Sequence, residues 1–245
     1  MKIVIPGGSG QVGTILARAF HTDGHEVVVL SRSAAKKSDW RTAVWDAKNP
    51  GDWTREFEVA DVVINLAGRI VNCRYNAENR RQITDSRVDS TRAVGAAIAQ
   101  AKNPPRVWLQ ASTATIYAHR YDAPNDEISG IIGGDEPGAP DTWNFSIGVA
   151  KNWERAAHAV DLPKTRLVLM RSAMTMSPDR DGIFDVMLGL VKKGLGGTAG
   201  DGRQYISWIH ETDFIRAVYW LIEREDLAGA VNIAAPNPLP NRAFM

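Results

Sequence analysis

Apolar residues along the chain fall into two rhythms. Short runs at Lys2–Ile5, Glu26–Leu30, Asp61–Asn65, Arg106–Gln110 and Arg166–Arg171 are rich in Val, Ile and Leu and too short for helices. Such runs mark strands buried on both faces of a parallel sheet. Between them, apolar positions recur every three or four residues, as on a helix that covers a core. Val12, Ile15, Leu16, Ala19 and Phe20 make one stripe. Val88, Thr91, Val94, Ala97, Ile98 and Ala101 make a second within Ile83–Ala101, which Pro104 and Pro105 stop. Ile147, Ala150, Trp153, Ala156 and Ala157 make a third within Asn144–Val160. A short strand at Ala43–Asp46, a helix at Ile183–Lys192 and a strand at Tyr205–Ile209 follow the same logic. A helix bearing Phe214, Ala217, Val218, Leu221 and Ile222, and a last strand at Val231–Ile233, complete the reading. Strands alternating with helices predict an α/β fold, a Rossmann-type doubly wound parallel sheet. Arg120–Asp141, rich in Gly, Pro and Asp, is too long for a plain connection and reads as a lid or substrate loop.

The junction between the first strand and first helix is unusual. Glycines fall at Gly7, Gly10 and Gly13, with a fourth at Gly8. In a strand-to-helix turn this spacing is a dinucleotide fingerprint. Gly7 supplies a turn conformation closed to residues with a Cβ. Gly10 lets the backbone approach a pyrophosphate, Gly13 lets the helix pack closely, and the helix N-terminus faces the phosphates. The whole loop, Gly7, Gly8, Ser9, Gly10, Gln11, Val12 and Gly13, is therefore a candidate cofactor cradle.

The second strand selects which dinucleotide. It ends in Ser31, Arg32 and Ser33, with Lys36 and Lys37 beyond. An NAD site places an acid here for the ribose 2′-hydroxyl; Arg32 suits a 2′-phosphate and points to NADP(H), with Ser31 beside it. Asp46 can accept from an adenine amino group. Leu66, Ala67 and Gly68, at the end of the fourth strand, let cofactor and backbone meet closely. Arg87 can reach the phosphates or the nicotinamide ribose, or form a surface ion pair. Ala111, Ser112 and Thr113 close the fifth strand, and hydroxyls at a strand's C-terminal end face the crevice of an open sheet.

Composition narrows the partner. The formal net charge is +1, so nothing electrostatic favours nucleic acid or an anionic membrane. Cys73 is the only cysteine, which excludes an internal disulfide and fits a reducing compartment. A strand from residue 2 leaves no room for a signal peptide, and no apolar run approaches the roughly 18 residues of a membrane span. The expectation is a cytoplasmic protein with a small-molecule partner. Five histidines show no metal-ligand spacing.

These stretches together resemble the extended short-chain dehydrogenase/reductase superfamily, in its NAD(P)-dependent epimerase/dehydratase branch. The residues that carry the resemblance are GGSGQVG at 7–13, INLAG at 64–68, ASTATIY at 111–117 and RSAM at 171–174. SRV at 86–88, WE at 153–154, GDGRQYISWIH at 200–210 with Asp213, and APNP at 235–238 resemble an atypical epimerase-like clade. The resemblance implies an NADP-binding Rossmann domain over 1–175. It implies a small C-terminal substrate lobe over 176–245, interleaved with the core and shortened at its end relative to that clade. It adds Arg171 and Thr175 to the cofactor contacts, and Arg203 and Trp208 as substrate contacts.

The same resemblance calls for a Tyr-x-x-x-Lys pair, whose spacing stacks phenol and ammonium one helical turn apart. No tyrosine here has a lysine four residues on. Registered on Glu154, the helix places Ser146 and Ala150 where Tyr and Lys belong, with Lys151 about 100° away. Thr113 matches the hydroxyl position and can donate to a substrate oxygen or bond backbone. Tyr117 is the nearest phenol and His119 the nearest imidazole for proton transfer. Two functions follow. One is an NADP-binding epimerase/dehydratase-like oxidoreductase acting on a small molecule, for example a sugar nucleotide. The other is a catalytically silent NADP(H)-binding sensor or interaction protein.

Overall fold

In the computed structural model, which describes residues 1–34 and 38–245, the apolar runs lie side by side as strands; Lys36 and Lys37 lie outside the described residues. In chain order the strands are β1 (Lys2–Pro6), β2 (Glu26–Ser31), β3 (Arg41–Val44), β4 (Val62–Asn65), β5 (Val107–Thr113) and β6 (Arg166–Ser172). Then come β7 (Met174–Met176), β8 (Tyr205–Ile206), β9 (Trp208–His210), β10 (Gly229–Ile233) and β11 (Leu239–Pro240). The helices are α1 (Gln11–Thr22), α2 (Ala77–Gln100), α3 (Asp141–His158), α4 (Ile183–Lys192), α5 (Glu211–Glu223) and α6 (Asn241–Phe244).

Seven strands form one sheet in the order β10-β6-β5-β4-β1-β2-β3, every neighbouring pair parallel. Alternation along β1 explains the two cores. Ile3 and Ile5 pack with Leu16 and Phe20 of α1 and Phe214, Val218 and Leu221 of α5. Val4 faces the other way, with Val94 and Ile98 of α2 and Ala157 of α3. The strand order turns back at β1, so the connections that leave β1 and β4 run to opposite sides of the sheet. That switch point is where an open α/β sheet holds a ligand.

Several boundaries differ from the sequence reading, for physical reasons. Helix α2 starts at Ala77, six residues before Ile83, because the Asn76 side chain caps it by accepting from the Asn79 N–H at 2.8 Å. Its first turns are polar and carry no apolar period. Strand β5 runs on to Thr113 because β6 keeps pairing with it through Ser172. The stretch 205–209 is two strands in two small sheets: β8 pairs antiparallel with β11, and β9 parallel with β7. Trp45 and Asp46 lie beyond the end of β3. Among the described residues no helix is long and apolar enough to cross a membrane.

Candidate functional site

The glycine loop leaves β1 and turns into α1. Gly7 has φ +76°, and a Cβ there would sit 2.6 Å from the Ala67 backbone. A Cβ on Gly13 would sit 2.4 Å from Gly8 Cα, so the close approach is to the loop's own Gly8 and not to the strand. Gly10 differs: its Cβ would meet only Gly7 O, at 3.7 Å. Sterics within the chain thus require glycine at 7 and 13, while the space over Gly10 is open. Helix α1 begins just after it, with no side-chain cap and no acid in its first turn. The first helical bond is Thr14 N–H to Gly10 O, which leaves the N–H groups of Gln11, Val12 and Gly13 without acceptors among the described residues. The Gln11 side-chain Nε2 is also buried without an acceptor, against Gly182. Free N–H groups, the helix dipole and a space that a Cβ would enter fit a pyrophosphate.

Ser31 Oγ donates to Ser9 Oγ at 3.3 Å, tying the end of β2 to the glycine loop. Arg32 follows on the exposed wall of an open cleft of about 470 Å³, shared with Arg69, Glu78, Arg81, Gln82, Asp85 and Ser86. Asp46 faces another task. Its carboxylate accepts from the N–H groups of Asn49 and Lys48 and from the Asn49 side chain, with the Asn49 backbone bond foremost in holding its pKa below the usual range. It closes a turn, and three of its roughly four acceptor positions are committed there.

Leu66, Ala67 and Gly68 lead out of β4, with Leu66 N–H bonded to Pro6 O at 2.8 Å and Ala67 N–H to Asn65 Oδ1 at 3.1 Å. Gly68 leaves room for Arg87, whose Cζ would lie 3.2 Å from a Cβ there. Arg87 forms no ion pair among the described residues. Its Nη1 donates to the Arg69 and Ile83 carbonyls, its guanidinium lies 5.0 Å over the Trp153 ring, and burial lowers its pKa.

The neighbouring end of β5 contrasts with this. Ser112 Oγ donates to Glu154 Oε1 at 2.6 Å. Arg171 forks onto both Glu154 oxygens at 2.9 Å and donates from Nη1 to the Tyr117 hydroxyl, which donates to Asn232 Oδ1 at 2.9 Å. Ser112, Tyr117, Glu154 and Arg171 are all buried. Three residues of the sequence reading lie in this network. Ser112 and Arg171 are expected at the cofactor; here the Ser112 hydroxyl donates to Glu154, and Arg171 donates to Glu154 and Tyr117. Tyr117, expected to move a proton, has its hydroxyl held between a guanidinium and an amide. The expected lid is also partly pinned. Asn232 N–H donates to Glu127, Ile131 N–H to Asn125 Oδ1, and Tyr117 bridges to Ile132. The WE pair flagged Glu154 as a register mark; nothing in the sequence showed that Asn232, 115 residues from Tyr117, would join it.

Thr113 remains half-exposed at the strand end. Its Oγ1 accepts from Thr115 N–H and donates to Thr115 Oγ1 at 3.1 Å. Ala111 precedes it, partly exposed. On α3, Ser146 Oγ donates to Thr142 O, and Ala150 is fully buried against Ile116 and Tyr117. Lys151 Nζ lies at the Gly134 turn, 3.1 Å from where a Cβ would be. Thr175 is buried in β7, opposite Ile209. Arg203 stacks 5.1 Å over Tyr121, whose ring meets His119, and His119 also meets Trp143. Trp208 is half-buried, with its Nε1 unpaired. His210 accepts from Thr212 N–H and caps α5.

Residues 3–141 match the family model described as the NAD dependent epimerase/dehydratase family. The epimerase family protein YfhF of Bacillus subtilis is 29% identical over 246 residues, covering 100% of this chain and 77% of that protein. Among solved structures, the human epimerase family protein SDR39U1, crystallised with NADPH, superposes with a TM-score of 0.82 at 29% identity, over 100% of this chain and 77% of that one. A nucleoside-diphosphate sugar epimerase from Corynebacterium glutamicum superposes with a TM-score of 0.78 at 29% identity, over 100% of this chain and 48% of that one.

Proposed function

This chain belongs to the NAD dependent epimerase/dehydratase family, and from that premise we propose that it binds NADP(H) across the glycine loop and serves hydride exchange with a small-molecule substrate. The observation that carries the reading is Gly10. Its neighbours in the chain leave the space over it open, beside the free N–H groups of the helix start, and a pyrophosphate fits that space. The free N–H groups of Gln11, Val12 and Gly13 suit the pyrophosphate, and Arg32 with Ser31 suits a 2′-phosphate. The human relative solved with NADPH supports the choice. NADP(H), when bound, supplies the hydride. The chain's own residues position it: Ala67 and Gly68 line its approach, and Arg87 offers a cation that no carboxylate among the described residues neutralises. Thr113 donates to a substrate oxygen in this reading, its half-exposed hydroxyl turning there from Thr115 Oγ1. Residues 176–245 form the substrate side, where Arg203 and Trp208 meet the far end of the substrate. A sugar nucleotide fits that arginine and agrees with the epimerase from C. glutamicum.

One observation favours the second reading, a silent NADP(H)-binding sensor. The position expected to hold lysine is Ala150, fully buried, and the nearest phenol is held in the Arg171 network. Calorimetric titration tests the shared core of both readings. NADPH is expected to bind ahead of NADH, and Gly10→Val to weaken both cofactors at least 100-fold, about 2.7 kcal/mol, with the melting temperature kept. A Gly10→Val protein that binds NADPH like the parent overturns the reading. Substrate-dependent loss of NADPH absorbance then separates enzyme from sensor.

A further inference from the structure

Many of the chain's arginines lie against a carboxylate: Arg171 on Glu154, Arg80 on Asp141, Arg81 on Glu78, Arg18 on Asp179. Arg69 is half-buried and has no such partner among the described residues. Its Nη2 donates to Asn79 Oδ1 at 2.9 Å, a neutral acceptor, and its Nη1 is buried with no acceptor. The placement is built. Arg69 N–H donates to Ser86 Oγ at 2.9 Å and Arg69 O accepts from Arg87, so its backbone is fastened to α2. Asn79 is itself oriented, since its Nδ2 donates to Arg74 O and its N–H to Asn76. Glu78 in the same cleft acts on Arg69 through space but makes no ion-pair contact with it. A guanidinium fixed this way, partly out of water and with one Nη unbonded, costs free energy that an external anion would offset.

Arg69 shares its cleft with Arg32. Arg32 reaches it from the end of β2 and Arg69 from beyond β4, on either side of the glycine loop, while the first half of α2 closes the far wall. Of the carboxylates there, Glu78 accepts from Arg81 and Gln82, and Asp85 lies on the same wall; three arginines against two acids leave the cleft net positive. Resting on the NADP(H) reading above, we infer that Arg69 is the second half of a 2′-phosphate clamp. The phosphate lies between Arg32 and Arg69, and discrimination against NAD(H) comes from both strand ends. Two guanidiniums give a phosphate more directed donors than one, which sharpens selectivity as well as affinity.

The test compares NADPH with NADH, and 2′-AMP with 5′-AMP as fragments without a nicotinamide, on the parent, Arg69→Gln, Arg69→Lys and, for the same charge change elsewhere, Arg55→Gln. Arg69→Gln is expected to weaken NADPH and 2′-AMP about tenfold or more and leave NADH and 5′-AMP within twofold. Arg69→Lys falls between, and Arg55→Gln changes none. Equal weakening of all four ligands by Arg69→Gln, or no weakening of any, overturns the clamp while the NADP(H) reading stands. A parent protein that binds NADPH no better than NADH overturns both. Arg69→Lys keeps the charge, so a folding defect in Arg69→Gln does not decide the result.

Discussion

Two strand ends lie one strand apart in the sheet order and differ in how their polar groups are used. At the glycine loop and the end of β4, N–H groups and guanidinium nitrogens have no acceptor: Gln11, Val12, Gly13 and Arg69 Nη1. At the ends of β5 and β6, Ser112, Glu154, Arg171, Tyr117 and Asn232 join in one buried chain of hydrogen bonds. Both regions hold polar and charged residues at the C-terminal edge of the same sheet. Among the described residues, the first lacks partners for these groups and the second supplies its own. Buried polar groups are almost always satisfied, so a cluster of unsatisfied ones beside an open cleft suits a ligand that completes the bonding, unlike the isolated Trp108 Nε1 in the core. A chain of satisfied ones ties β5, β6 and α3 together at the place where the family resemblance expects chemistry.

The largest expected effect removes the centre of the satisfied side. Glu154→Ala would leave the Arg171 guanidinium buried without its fork, along with Ser112, and should cost about 3–5 kcal/mol of unfolding free energy. The midpoint of urea denaturation reads this. NADPH affinity of the folded protein should change less than twofold, because nothing in that network reaches the glycine loop. A loss under about 1 kcal/mol, or a collapse of cofactor affinity with stability kept, would erase the distinction between the two regions.

The next effect belongs to the unsatisfied side. Arg32→Ala should cost NADPH binding about 1.5–3 kcal/mol, the range for a hydrogen bond to a charged group, and leave NADH and the melting temperature nearly unchanged. Calorimetry of both cofactors decides it. Equal losses would place Arg32 near the shared pyrophosphate and not near the 2′-phosphate.

The sequence made the first region more legible than the second. The glycine loop is local: strand, turn and helix lie within 22 residues, and the period of apolar positions alone places them. The parallel sheet is readable for the same reason at β1, β2, β4, β5 and β6, where runs buried on both faces leave a simple signature; the less buried β3 is displaced by two residues from its reading. The network around Glu154 joins residues from 112 to 232, and one sequence without homologues carries no signal for such pairings. Arg69 was missed for a related reason. It sits in a loop, and only the absence of a nearby carboxylate in space distinguishes it. The two short sheets, β8 with β11 and β7 with β9, escape the reading because strands of two or three residues have no period to detect.

Tyr117→Phe sharpens the comparison further. Deleting the hydroxyl removes the bond to Asn232 and leaves one Arg171 donor unmet, which should cost about 1–2 kcal/mol of stability. It should also loosen residues 125–133, which Asn232 and Tyr117 hold, and faster hydrogen exchange of those amides would show it. A hundredfold fall in NADPH-linked turnover with stability unchanged would instead make Tyr117 a proton donor and the network its support.

The smallest expected effect is at Ser146. Its hydroxyl donates back to Thr142 O within α3, a bond that competes with the helix as much as it supports it, and alanine is the better helix former. Ser146→Ala should therefore shift unfolding free energy by no more than about 0.5 kcal/mol and leave both cofactor affinity and any turnover as they are. The residue matters because family registration puts a tyrosine there. Its neighbour one turn on, Ala150, is fully buried under Ile116 and Tyr117, so no ammonium can occupy the companion position. A proton donor at 146 would need such a cation to lower its pKa, and serine starts far higher than a phenol. If Ser146→Ala abolished turnover while Thr113→Ala did not, the functional face of α3 would be the one turned toward Ser146. The satisfied and unsatisfied regions would then have exchanged roles.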